Sequence, residues 1–166
     1  GGEFFEDGIW VMKTFCIRTL GCKVNQYDSQ KIRERFSRHG WKESVEASET
    51  DVCVVNTCCV TSQADRKSRY AIRCVVRQSP RSQVYVTGCY VVYSRKAVEA
   101  IQGVKAVFES QDSDIFLERL LGDKNKACGV NAPVSFFGKH ARALLKIQDG
   151  CDNSCSYCIV PVVRGP

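Results

Sequence analysis

Runs of β-branched and apolar residues alternate along this chain with segments of helical periodicity, and that alternation restricts the fold more than any other feature. Residues 13–20 (KTFCIRTL), 51–56 (DVCVVN), 83–87 (QVYVT) and 104–108 (VKAVF) read as strands. The run at 51–56 is nearly all apolar, as a central parallel strand covered on both faces has to be. From Asp28, taken as an N-cap, SQKIRERFSRH keeps Ile32, Arg35, Phe36 and His39 on adjoining faces and stops at Gly40. Residues 62–78 form the longest helical pattern, with Ala71, Ile72, Val75 and Val76 toward a core and Ser79-Pro80 ending it. Shorter helices are expected at 94–101 and at 112–121, the latter capped by Asp112. The pattern predicts an α/β fold, a mostly parallel open sheet flanked by helices and joined by right-handed crossovers. In such sheets ligands gather beyond the carboxyl ends of the strands.

The chain of 166 residues, 44% of them apolar, has material for one domain core and a short extra piece. Residues 1–12 join no periodic pattern and read as a leader or tag, with native translation starting near Met12. Residues 13–122 make the α/β domain, and 123–140, mixing Gly, Lys, Asn and Pro without a period, make a linker. At 141–148 (ARALLKIQ) a strand pattern restarts and opens a second domain at 141–166. No apolar run approaches the roughly 20 residues that cross a bilayer, and the opening segment lacks the basic start and apolar centre of a signal peptide. A cytoplasmic, membrane-free setting is expected, in which the eleven cysteines stay reduced and are available to metals. The net charge of +6 suits a polyanionic partner but decides little by itself.

The cysteines fall into two constellations. Cys151, Cys155 and Cys158 stand in a C-x3-C-x2-C spacing within CDNSCSYC, directly after a predicted strand. Three thiolates this close reach three corners of one iron–sulfur cube and leave the fourth iron without a protein ligand. A zinc knuckle is the competing reading, but zinc sites favour four ligands and paired C-x2-C modules. The second constellation is dispersed: Cys22 in TLGCKVNQ, Cys58 in VNTC and Cys89 in TGCY each follow a predicted strand, so parallel strands deliver all three thiols to one sheet edge. Gly21 and Gly88 beside them permit close backbone approach to a bulky inorganic core. Taken alone, such cysteines are more often buried small hydrophobes.

LKIQDGCDNSCSYCIVPVVRG at 145–165 carries the radical-SAM signature and is close to its methylthiotransferase version, while TLGC, NTC and TGC in this order resemble the N-terminal cysteine motifs of the same family. The resemblance covers residues 14–166. It implies that Cys22, Cys58 and Cys89 hold an auxiliary [4Fe-4S] cluster that takes part in sulfur insertion. It likewise implies that Cys151, Cys155 and Cys158 hold a second [4Fe-4S] cluster, whose open iron chelates S-adenosylmethionine and, once reduced by an electron donor, starts radical chemistry. The string TLGCKVNQYDSQ, with ADRKSR at 64–69, is most similar to the group acting on N6-threonylcarbamoyladenosine beside the transfer RNA anticodon. Other members act on isopentenylated adenosine or on a ribosomal-protein aspartate. The full enzyme is therefore expected to place a methylthio group on C2 of the modified adenine in the anticodon stem-loop. This chain, which stops eight residues after Cys158, before the remaining barrel and the RNA-binding domain of the family, is expected to be inactive alone.

Two non-catalytic readings compete: a self-standing iron–sulfur electron carrier and a zinc-holding RNA-binding module. Arg66, Arg69, Arg73 and Arg77 recur at steps of three and four, a basic stripe suited to phosphates or simply a solvated helix face. Cys16, Cys53 and Cys74 read as packing residues and Cys128 as a linker thiol, while Cys59 is set below Cys58 as a ligand because neighbouring strand-end residues point apart. Asn25, Gln26, Asn56 and Thr57 flank the dispersed site, to hydrogen-bond a cluster or to cap turns. His39 and His140 have no partner pattern, and the oligomeric state is not readable.

Overall fold

The computed structural model describes residues 12–122, 134–135 and 144–166. Strand β1 (Thr14–Thr19) is followed by helix α1 (Lys23–Arg38), β2 (Lys42–Glu43), β3 (Val52–Thr57), α2 (Ser62–Gln78), β4 (Gln83–Gly88), α3 (Cys89–Glu99), β5 (Val104–Val107) and α4 (Ser113–Leu121). The strands lie in the order β2-β1-β3-β4-β5, and every neighbouring pair is parallel. Parallel neighbours require long crossovers, so helices cover both faces and β3 is buried along its whole length. Val52 and Val54 of β3 join Phe15, Ile32, Phe36, Tyr85, Phe108 and Leu117 in the core under α1 and α4. Cys53 and Val55 point the other way, into a core with Ile72, Val75, Val84, Val86 and Val98 under α2 and α3. Phe36, one turn beyond Ile32 on α1, stacks on Phe15 with ring centroids 4.5 Å apart.

Helix α2 occupies the expected residues and is capped by Thr61, whose hydroxyl accepts from the Ala64 N–H at 3.1 Å. Three boundaries differ from the sequence expectation. Helix α1 begins at Lys23 with Cys22 at the N-cap position, so Asp28 lies inside the helix instead of capping it. Helix α3 starts at Cys89 directly after β4 and breaks at Ser94 (φ −148°, ψ 59°), so the expected helix at 94–101 is its second half. Asp112 precedes α4 but makes no side-chain cap. The two-residue strand β2 carries no sequence signal of its own; it exists because Lys42 and Glu43 pair with Thr14 and Phe15.

Beyond the sheet, Ser135 binds Glu34 of α1 through its N–H at 2.8 Å and its hydroxyl at 2.9 Å. Residues 144–148 form no strand, since an extended segment becomes one only against a neighbouring ladder. The chain then ends in a short helix α5 (Val160–Arg164) that follows the clustered cysteines. The proposed leader through residue 11 and nearly all of the proposed linker lie outside the described residues. Among the described residues no helix is long and apolar enough to cross a membrane.

Gly88 closes β4 at φ +97°, where an added Cβ would strike the backbone oxygen and nitrogen of Thr57 and the Asn56 side chain. Gly88→Ala is expected to lower stability by more than about 1 kcal/mol in urea denaturation, and by more than Gly40→Ala, whose Cβ would meet open space. Equal losses would refute the tight approach of β4 to β3. Phe36→Ala is expected to cost about 3–5 kcal/mol in the same measurement.

Candidate metal centre

The sheet delivers Cys22, Cys58 and Cys89 to one edge. Cys22 lies just past β1, Cys58 directly follows β3, and Cys89 directly follows β4. The register pairs Thr57 with Gly88, which sets Cys58 and Cys89 at equivalent positions just beyond adjacent strands. Gly21 turns the chain at φ +95° against Cys58: a Cβ there would lie 2.5 Å from Cys58 Cβ and 2.6 Å from its Sγ. As a result Cys22, exposed, and Cys58, buried, line one cavity of about 350 Å³ together with Leu20, Thr61, Ala64 and Lys67.

Buried polar side chains hold these strand ends together. Asn25, fully buried, donates to the carbonyls of Leu20 and Thr57, each at 2.8 Å. The Asn56 amide donates to the Asn25 carbonyl and to Ser29 Oγ, each at 3.0 Å, and the Thr57 hydroxyl donates to the Thr87 carbonyl at 2.6 Å. Ser68 of α2 fixes the backbone of Cys58 by accepting from its N–H at 3.2 Å and donating to its carbonyl at 2.8 Å. Asn25, Asn56 and Thr57 thus serve the strand-end framework, whereas the Gln26 side chain accepts from Lys23 at 3.4 Å.

Cys58 and Cys59 do point apart. Cys58 lines the cavity it shares with Cys22, while Cys59 lies in the core cluster that also holds Cys89. Interaction with Cys59 pulls Cys89 down to about 6 against the upward push of burial, with the charge of Arg164 adding to the pull, and the same interaction drives Cys59 up. The structure therefore brings together Cys22 with Cys58 and, separately, Cys59 with Cys89. Among the described residues no three His, Cys, Asp or Glu side chains converge on one metal-holding point. The donor chemistry nonetheless fits an iron–sulfur cluster: three free thiols on adjacent strand ends, two of them on an open cavity and one pulled toward thiolate. Cys16 and Cys53 are the packing residues expected, buried side by side with their sulfurs 3.1 Å apart, Cys74 is half-buried on α2, and Cys128 lies outside the described residues.

The second constellation docks on the same edge. Cys151 and Cys158 are half-buried and Cys155 is exposed, on a loop closed by hydrogen bonds from Cys151 N–H to the Gly165 carbonyl and from Cys158 N–H to the Cys155 carbonyl, each 3.0 Å. Gly150 packs on the Gly165 carbonyl so tightly that a Cβ has no room. Val163 of α5 is buried in the core under α2 and α3, with Ile159 packed against it. Arg164, its side chain only 6% exposed, then reaches into the cysteine edge. It donates to Cys89 Sγ at 3.2 Å, Asp28 at 2.8 Å, Asp149 at 2.6 Å and Asn25 Oδ1 at 2.5 Å. Lys146 bridges the same two acids at 3.0 and 2.8 Å. Burial alone would lower the affinity of Arg164 for its proton, but Asp28 and Cys89 raise it strongly; Asp149, also resisted by burial, is held low by Lys146 and Arg164. Sequence reading missed Arg164, Lys146 and this role of Asp28. Their only signal is position beside the cysteine motifs, since Asp28 and Arg164 are far apart in the chain.

The family described as Uncharacterized protein family UPF0004 matches residues 14–109. The chain is 37% identical to the threonylcarbamoyladenosine tRNA methylthiotransferase MtaB of Bacillus subtilis (strain 168), over 93% of this chain and 37% of that protein. The protein of the same description from Chlamydia pneumoniae is 33% identical over 93% of this chain and 37% of its own length. A tRNA-2-methylthio-N(6)-dimethylallyladenosine synthase of Clostridium perfringens (strain SM101 / Type A) is 29% identical over 92% of this chain and 38% of that one. The chain thus spans little more than a third of the length of these relatives. With the UPF0004 domain over residues 14–109 and this similarity over most of its length, the chain belongs to the methylthiotransferase family and is most like its threonylcarbamoyladenosine group.

Proposed function

We propose that the chain is the N-terminal part of an enzyme that methylthiolates C2 of N6-threonylcarbamoyladenosine next to the transfer RNA anticodon. In this reading 13–122 is the N-terminal domain, 123–140 a linker and 141–166 the start of the radical-SAM domain. The observation that carries it is the meeting of two cysteine constellations at one sheet edge, Cys22, Cys58 and Cys89 on the strand ends and Cys151, Cys155 and Cys158 on a loop anchored there by Arg164. Bound at these thiols, two [4Fe-4S] clusters with S-adenosylmethionine and an electron donor would supply the radical and sulfur chemistry.

The chain's own residues then bind and orient. Cys22, Cys58 and Cys89 hold one cluster, and Cys151, Cys155 and Cys158 hold the other. Asn25 and Thr57 lock the strand ends that carry the first set, and Ser68 fixes the backbone at Cys58. A cytoplasmic setting keeps the remaining thiols reduced. For the RNA, α2 presents Arg66, Arg73 and Arg77 to solvent with Tyr70 exposed among them, so phosphate contacts and base stacking are available on one helix face. Arg69 leaves the expected stripe: it donates to the Tyr90 hydroxyl at 2.7 Å and lies half-buried.

Two measurements test this. The longer protein that contains this chain, expressed in cells lacking the modification, is expected to yield 2-methylthio-N6-threonylcarbamoyladenosine in digested transfer RNA, and Cys89→Ala to abolish it; product on dimethylallyladenosine instead would move the chain to the other transfer RNA group. Arg66→Glu, Arg73→Glu and Arg77→Glu are each expected to weaken binding to an anticodon stem-loop. Each should also reduce the slope of log affinity against log salt by about one. An unchanged slope would remove α2 from the RNA interface.

A further inference from the structure

The short helix after the clustered cysteines spends its one buried cation on the other cysteine set, a contact that no packing need explains. Val163 and Ile159 already anchor α5 in the core. Arg164 nonetheless extends across the edge to the sulfur of Cys89, and each of its three guanidinium nitrogens has a partner there. Its acceptors belong to two parts of the chain: Asn25, Asp28 and Cys89 to the sheet domain, Asp149 to the segment that leads into Cys151.

We infer that Arg164 is a positioning residue with two effects: it locks the Cys151–Cys158 loop onto the sheet edge, and it tunes the metal centre at Cys22, Cys58 and Cys89 by giving the Cys89 sulfur a charged hydrogen bond. This rests on the reading of Cys89 as a cluster ligand. The chemistry is general: a cationic N–H donor on a ligand sulfur stabilises the more negative, reduced form of a cluster and raises its reduction potential. A lysine in place of Arg164 keeps the charge but directs its donors from a single nitrogen instead of a planar fork of three, so it cannot span the four groups that the guanidinium reaches. Asp28 and Asp149 balance the guanidinium charge from either side at 2.8 and 2.6 Å, which lets the cation stay buried beside the Cys89 sulfur.

The test uses the full 166-residue chain with Cys151, Cys155 and Cys158 changed to Ala, so that any cluster formed sits at the dispersed site. After anaerobic reconstitution, iron content, the midpoint potential from an electron-paramagnetic-resonance titration and the rate of tryptic cleavage after Lys146 are compared for Arg164, Arg164→Lys and Arg164→Met. The expected result is equal iron in all three, a potential that falls in Arg164→Met and falls less in Arg164→Lys, and cleavage after Lys146 at least about tenfold faster in Arg164→Met. A chain that loads iron but shows the same potential and the same cleavage rate in all three overturns the role of Arg164 and leaves the cluster reading intact. Failure of the Arg164 parent itself to load iron overturns the cluster reading, and the tuning role with it.

Discussion

Asn25 donates its buried carboxamide to the carbonyls of Leu20, just past β1, and Thr57, the last residue of the neighbouring β3, and the geometry of the cysteine edge depends on that bridge. A parallel sheet leaves the last carbonyls of its strands without ladder partners, and a buried carbonyl without a partner costs about 1–3 kcal/mol. Asn25 supplies the missing donors from the first turn of α1, and in doing so fixes where Cys22, three residues earlier, and Cys58, one residue beyond Thr57, stand relative to each other. The glycines complete the arrangement: Gly21 admits Cys58 against the first turn, and Gly88 admits the end of β3 against β4. No cysteine needs strain of its own to reach the edge, because the strain is placed in residues without side chains.

Much of this architecture is legible in the sequence. The apolar run at 51–56 becomes the central strand, α2 covers the expected residues, and Cys16 and Cys53 pack as small hydrophobes. These features follow from local pattern and burial, which the chain encodes within a few residues. The start of α1 does not. Asp28 has the chemistry of a cap, yet its carboxylate is held by Lys146 and Arg164, partners more than a hundred residues away in the chain that no local rule reveals. The pairing of Cys59 with Cys89 is hidden for the same reason, since it depends on the close approach of two strand ends and not on spacing.

The distinction between Cys58 and Cys59 shows how much a single position carries. The two thiols are neighbours in sequence but leave the strand in opposite directions, one to an open cavity and one into the core. Of these two neighbours it is Cys58 that shares an open cavity with Cys22. Cys89 belongs to both worlds: its pull toward thiolate comes from Cys59 on the core side and from Arg164 on the side of the second cysteine loop. That makes Cys89 the junction between the sheet domain and the segment that follows it.

The proposed iron–sulfur site lies at the sheet edge, at Cys22, Cys58 and Cys89. Anaerobic reconstitution of the chain with iron and sulfide, followed by iron, sulfide and zinc analysis beside a variant with these three residues changed to Ala, tests it most directly. An auxiliary cluster at these thiols gives about four more iron per chain in the wild type than in the variant. Equal iron in the two, or zinc alone, would contradict it.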